Sequence, residues 1–200
     1  IMKNNPTKGT LEVICGSMFS GKSEELIRRV KRASIAQQST RTFKHHFDNR
    51  SSNDQVNSHD GSSIEAIAVD NAESMMKYIN NSVEVVGIDE IQFFPKDIIP
   101  AVWDLVQSGK RVIAVGLDLD FRGLPFGIMP TLLALADHVT KLKAVCVKCT
   151  KDAHFSQRLV NGKPAKASDP VIVIGAQECY EARCRDCFSI DHGPIFTINK

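Results

Sequence analysis

The sequence predicts an α/β fold, a mostly parallel sheet with flanking helices on both faces, followed by a smaller cysteine-bearing unit. Three observations carry this. Runs rich in Val and Ile alternate with helical patterns through the first part of the chain, as in sheets built from strand–helix–strand units. The octet "GSMFSGKS" (16–23) lies between a strand-like run and an amphipathic helical run. After about residue 145 the texture changes, and paired cysteines bracket short strand-like segments.

Taken in order, "TLEVIC" (10–15) reads as a strand and 21–36 as a helix. "TRTFK" (40–44) is a short strand, followed by the polar stretch "HHFDNRSSNDQVNSHDGSS". "IEAIAV" is another strand, and "NAESMMKYI" is a helix opened by an Asn cap. "VEVVGID" (83–89) is a buried strand ending in acid, and "FFPKDIIPAVWDLVQSGK" is a loop and helix stopped by Gly109. "RVIAVG" and "VTKLKAVC" are further strands, the second leading into the cysteines. "AHFSQRLV" and "VIVIG" form strand-like runs in the second unit, joined by the turn-rich "NGKPAKASDP". The expected division is a disordered N-terminal tail at 1–8, a nucleotide-binding α/β domain at 9–142 and a metal-binding domain at 143–200.

The 200 residues suffice for one full domain with a small appendage. A net charge of +2 is too small to argue for nucleic acid or an anionic membrane as partner. "RRVKR" (28–32) reads as a solvated helix face. No apolar run approaches the roughly 20 residues that span a bilayer, and no signal-peptide pattern opens the sequence, so a cytoplasmic setting is expected. There, paired cysteine spacing favours metal over disulfide.

Gly16-x4-Gly21-Lys22-Ser23 fits the phosphate-loop pattern and makes the α/β fold a P-loop (RecA-like) one. Glycines admit backbone angles that turn successive N–H groups of Gly16, Ser17, Met18, Phe19, Ser20 and Gly21 around phosphate oxygens. The helix starting near Gly21 adds its positive end. Lys22 would reach the β- and γ-phosphates, and Ser23 would ligate Mg²⁺. The alternative is a chance glycine turn, against which the flanking strand and helix weigh. Such a loop needs an acid on a neighbouring strand, and Asp89 and Glu90 supply a pair. Asp89 would hold Mg²⁺, and Glu90 would take a proton from an attacking oxygen. The bland alternative is one metal acid beside one solvent acid.

Cys146-x2-Cys149 and Cys184-x2-Cys187 are two knuckles with 34 residues between them. Four thiolates complete a closed tetrahedral Zn²⁺ site, structural because no position is left for substrate. A redox pair or buried free thiols are the alternatives, and neither explains two pairs flanking one excursion. His154 and His192 are substitute ligands or surface histidines. Cys15 reads as packing, and Cys179 is open. A segment with so little core needs a staple, so the metal would anchor a zinc-ribbon-like lid.

"GSMFSGKSEELIRRVKRA", "FDNR", "IDEIQFFP", "GLDLDFRGLPFG", "TKLKAVCVKC", "QRLVNGKPA" and "YEARCRDC" occur in the order in which they stand in the type II thymidine kinases, which this chain resembles from about Gly9 to about Cys187. The resemblance implies an ATP-dependent enzyme phosphorylating the 5′-hydroxyl of thymidine, in nucleotide salvage for DNA synthesis. Glu90 matches the catalytic base. Lys22, Ser23 and Asp89 match the ATP–Mg²⁺ groups, and the run Asp89, Glu90, Ile91, Gln92 borders the nucleotide. Asp48 and Arg50 match polar residues near the reacting phosphate, where Arg50 would stabilise the transferring group; read from charge alone, it is equally a surface arginine.

Met18, Phe93, Leu117, Phe121 and Phe126 match the apolar shell of the thymine pocket; without the family, such aromatics read as core. A lasso loop, Ser156 through Gly175, closes that pocket in the family. Val171, Ile172, Val173, Ile174, Gly175 and Tyr180 match positions near the nucleoside. Three departures stand out: Ser156 where the family usually has Thr, Leu119 where many bacterial members carry Gln, and "GAQECY" in place of a run with a second Gly and a Lys. None removes a group the chemistry requires. The resemblance further implies a homotetramer and feedback inhibition by dTTP. Two other readings remain: a nucleotide-switched module whose ribbon grips nucleic acid or protein, and a kinase for deoxyuridine or another pyrimidine nucleoside.

Overall fold

The computed structural model describes residues 7–46, 55–57, 61–172 and 179–191. In chain order the first elements are β1 (Thr10–Cys15), α1 (Lys22–Ile35), β2 (Thr40–His45), β3 (Gln55–Asn57), β4 (Ser63–Glu65), β5 (Ile67–Val69) and α2 (Ala72–Met76). Next come β6 (Val85–Asp89), a 3-10 turn (Ile91–Phe93), α3 (Ile98–Gln107), β7 (Arg111–Gly116), α4 (Met129–Leu135) and β8 (His138–Lys141). The remainder is β9 (Ala144–Val145), β10 (Asp152–Ala153), β11 (Phe155–Val160), β12 (Lys163–Pro164) and β13 (Cys179–Arg183).

Six strands form one sheet in the order β5-β2-β6-β7-β1-β8, and every pairing within it is parallel. Alternation along each strand sends neighbouring side chains to opposite faces. On β7, Val112 and Ala114 join Val13, Val86 and Ile88 under α2, α3 and α4. Ile113 and Val115 face the other way and pack with Ile14 and Val85 under Leu26, Val30 and Ala33 of α1. Both faces are therefore covered, which is why these strands read as continuous apolar runs. Leu26 is fully buried, and truncating such a side chain to Ala costs about 2–5 kcal/mol.

The helix ends follow local chemistry. Asn71 caps α2 by accepting from the Ser74 N–H at 2.9 Å, and the Ser74 hydroxyl accepts from the Asn71 N–H at 3.3 Å. The expected helix is cut short, because the Tyr78 and Ile79 N–H groups bond three residues back, to Met75 and Met76. Pro100 sits in the first turn of α3, where no intrahelical N–H is needed. Gly109, at φ 90°, ends that helix. Lys8 donates from Nζ to the Gln107 carbonyl at 3.2 Å, holding the chain just before β1 against α3.

Three runs expected as single strands are each divided. "IEAIAV" contributes β4 to a hairpin with β3 and β5 to the edge of the main sheet. "VTKLKAVC" ends the main sheet as β8 and opens the cysteine unit as β9. "AHFSQRLV" supplies β10 and β11, which pair with different partners. Periodicity marks such runs as extended but is silent on which partner each half meets. Beyond β8, the small sheets are β10-β9 and β12-β11-β13. Phe155 stacks on Phe188 with ring centroids 4.5 Å apart, and the Gln157 side chain binds both N–H and C=O of Ser189.

Candidate active site

The loop 16–23 leaves the end of β1 and runs into α1. Gly16 (φ 146°) and Gly21 (φ 81°) take backbone angles that L-side chains resist, and Phe19 adopts φ 64°. A Cβ on Gly16 would lie 2.5 Å from the Leu142 carbonyl oxygen, so the loop can cross the end of β8 only with glycine there. Gly21 precedes the first turn of α1, which directs N–H groups without a partner inside the helix and a positive dipole end back at the loop. Glu24 and Glu25 in that turn complement the dipole.

Within the loop, the Ser20 hydroxyl and Lys22 Nζ both donate to the Ser17 carbonyl, each at 2.8 Å. The Ser23 hydroxyl donates to Asp89 Oδ2 at 3.0 Å, joining the start of α1 to the end of β6. Asp89 is buried. Burial pushes its carboxyl up to about 7, the Glu90 charge adds to the rise, and the Glu90 N–H, Ser23 and Lys22 act against it. Two carboxylates and a serine oxygen crowded at a strand end form an oxygen donor set for a hard cation, and Mg²⁺ would relieve the repulsion that raises Asp89. The residues fit the metal.

Glu90 follows β6 in the left-handed region (φ 49°, ψ 40°), held there by its N–H donating to Asp89 Oδ1 at 2.9 Å. Gln92 is buried and binds Glu90 through its side chain. Ile91 is fully buried in the main core, which leaves only its backbone to face a ligand. Of the expected apolar shell, Phe93 meets Phe126 edge-on at 5.7 Å. Phe121 is buried under the Arg158 guanidinium at 5.0 Å. Leu117 follows β7, and Met18 reaches across to the second unit, where its N–H donates to Ser156 Oγ at 2.9 Å. Val171 is half-buried, Ile172 is exposed and Tyr180 lies half-buried on β13. Asp48, Arg50, Val173, Ile174, Gly175 and His192 lie outside the described residues.

Ligand atoms of Cys146, Cys149, Cys184 and Cys187 all lie within 4.8 Å of one another. Among the described residues, the apolar side chains clustered with them are the small ones of Ala144, Ala153 and Ala182. Burial works against the Cys146 thiolate, but backbone hydrogen bonds from Cys184, Lys148 and Cys149 bring it down to about 6. Hydrogen bonding to the sulfurs of Cys149 and Cys184 pushes Cys187 up to about 12. A soft dication at the centre of four sulfurs removes that conflict, and the set fits structural Zn²⁺. His154 is not among the four and instead lines a cleft of about 460 Å³ with Leu119, Lys141 and Arg185. The phosphate loop and Glu90 are not in that cleft, whose Lys141 is paired with Asp118 at 2.7 Å. Cys15 is buried in the core, and burial followed by the Asp118 charge pushes its thiol up to about 11, in keeping with packing. Cys179 is exposed.

Sequence reasoning passed over Arg158. Besides lying over Phe121 of the shell, it donates to the Pro170 carbonyl at 2.6 Å, joining an early and a late position of the expected lasso. The signal was an arginine inside a strand-like run where both faces are buried, as they are for Phe155 to Arg158.

The phosphate loop at the carboxyl end of a parallel sheet, with an acid pair at the end of β6, one strand beyond β7, defines a phosphate-loop nucleotide-binding protein. A family model described as "Thymidine kinase" matches residues 9–188, and the chain belongs to that family. Among solved structures, it is similar to the genome packaging NTPase B204 from Sulfolobus turreted icosahedral virus 2 in complex with ATP-gammaS. The identity is 18%, covering 66% of this chain and 74% of that one, with a TM-score of 0.43.

Proposed function

We propose that the protein is an ATP-dependent thymidine kinase, transferring the γ-phosphoryl of ATP to the 5′-hydroxyl of thymidine to give dTMP. The observation that carries this reading is the Ser23–Asp89 hydrogen bond, which sets the phosphate loop one residue from Glu90 in a chain of the thymidine kinase family. The loop N–H groups and Lys22 bind the triphosphate. Mg²⁺, held by Ser23 and Asp89, would neutralise charge on the β- and γ-oxygens. Glu90 accepts the 5′-hydroxyl proton as that oxygen bonds to the γ-phosphorus. The bond from the γ-phosphorus to the bridging oxygen breaks, and ADP leaves with the electron pair. Asp48 and Arg50 belong beside the reacting phosphate by family resemblance.

Nucleoside selection falls to Met18, Phe93, Leu117, Phe121, Phe126 and Tyr180, with the backbone of 171–175 reading the base edge. Zn²⁺ on the four cysteines would pin the ends of that excursion. A cytoplasmic homotetramer inhibited by dTTP completes the proposal. A panel of nucleosides with Mg²⁺–ATP, scored for 5′-monophosphate, tests it. Thymidine is expected to lead; preference for deoxyuridine would reassign the substrate, and no nucleoside product would overturn the reading.

A further inference from the structure

We infer that Gln92 is a positioning residue for phosphoryl transfer, acting by fixing the carboxylate of Glu90; the inference rests on the function proposed above. Gln92 Nε2 donates to Glu90 Oε2 at 2.6 Å. Its other amide atom, Oε1, accepts the Leu117 N–H at 3.1 Å. A carboxylate can only accept and a peptide N–H can only donate, so the two partners leave the amide a single orientation. Gln92 is 4% exposed, and water cannot replace either bond cheaply. The amide is thus a rigid strut from the residue after β7 to the acid after β6.

The surroundings are shaped to keep that strut. A Cβ on Gly116 would stand 2.5 Å from Gln92 Oε1, and one on Gly127 would stand 2.8 Å from the Gln92 carbonyl oxygen. Two glycines from separate segments therefore leave the space that Gln92 fills. Glu90 needs such help because its backbone sits in a left-handed conformation that is costly for glutamate. The Asp89 bond holds its N–H, and the Gln92 bond holds its side chain. The same strut ends on Leu117, a residue of the expected nucleoside shell, so base and shell are set by one side chain.

A double-mutant cycle tests this. Gln92→Met keeps length and apolar stem but removes both bonds. Expected is a loss of about 10- to 100-fold in kcat, the scale of a misplaced reacting group, with KM for ATP and thymidine changed less than about threefold. In a Glu90→Gln background the same substitution is expected to cost nothing further, because the carboxylate it orients is gone. Parent-like kcat in Gln92→Met, or an equal loss in both backgrounds, overturns the inference. Glu90→Gln alone reads the base assignment: full activity there removes that assignment, and the role of Gln92 with it. Should Gln92→Met not fold, Gly116→Ala, which displaces Oε1, must show the same selective fall in kcat; an unchanged kcat overturns the inference.

Discussion

The N–H of Met18 in the phosphate loop donates to the hydroxyl of Ser156 on β11, 138 residues later, at 2.9 Å. This bond and the Ser17 hydroxyl contact to the Ala153 carbonyl at 3.5 Å join the nucleotide-binding sheet to the cysteine-bearing unit. Ser156→Ala would leave a part-buried N–H unpaired, at a cost of about 1–3 kcal/mol. We expect KM for thymidine to rise about tenfold, the equivalent of 1.4 kcal/mol, with KM for ATP less affected. Ser156→Thr keeps the hydroxyl and should stay near parent values. Equal kinetics for all three proteins would show that the loop-to-ribbon bond does not shape the nucleoside site.

Asp89→Asn keeps the shape of the Ser23 contact and removes the charge. The expected result is a fall in kcat of about 10²–10³-fold, the range seen when one preorganised charge-stabilising group is lost. A higher Mg²⁺ concentration for half-maximal rate should accompany it. An unchanged Mg²⁺ titration would remove Asp89 from metal binding.

The cysteine unit packs few apolar side chains around its four sulfurs, so its order should depend on the metal. Elemental analysis should find about one zinc per chain. Cys184→Ser should weaken zinc binding by at least about 10–100-fold, the cost of losing even an outer partner. Circular dichroism melting should register it as a lower Tm. Full zinc content after that substitution would exclude a four-sulfur site.

Acid stability should follow the carboxylates paired with the arginines of α1 and β7. Burial opposes the charge on Glu12, but hydrogen bonds from Arg111 at 2.5 Å and Arg29 at 2.6 Å outweigh it and hold the carboxyl below its ordinary value of 4.5. Glu25 is brought down to about 2, chiefly by Arg28 and further by Arg29. Groups with depressed values contribute stability above the unfolded value that is lost as pH falls through the folded one. Tm should therefore drop between about pH 4.5 and pH 2 for this cluster. Glu12→Gln should lower stability at pH 7 by about 1–3 kcal/mol and flatten that acid slope. A parallel pH profile in the variant would exclude Glu12 as a source.

Much of this protein was legible along the chain because the relevant physics is local. The "GSMFSGKS" loop, the acid pair 89–90 and the two cysteine knuckles are short patterns whose residue types state their chemistry. The buried strands announced themselves by unbroken Val and Ile, since a sheet covered on both faces leaves no polar side to alternate. Three runs were read as single strands and proved to be two, because an extended pattern carries no record of its partner. α4 and β13 went unmarked, the first short and opened by Pro130 rather than a polar cap, the second mixed in polarity.

Chemistry that one segment can carry was therefore written in the residues themselves: phosphate-loop nucleotide binding, a thiolate metal set and an α/β core. Folding alone decided which distant groups meet. The order β5-β2-β6-β7-β1-β8 puts the strand ends bearing Cys15, Asp89 and Gly116 side by side. Gln92 then spans from Glu90 to Leu117, and Arg158 lies over Phe121. The reason is physical: hydrogen-bonding and packing partners are selected by distance in space, and burial makes each such meeting costly to miss.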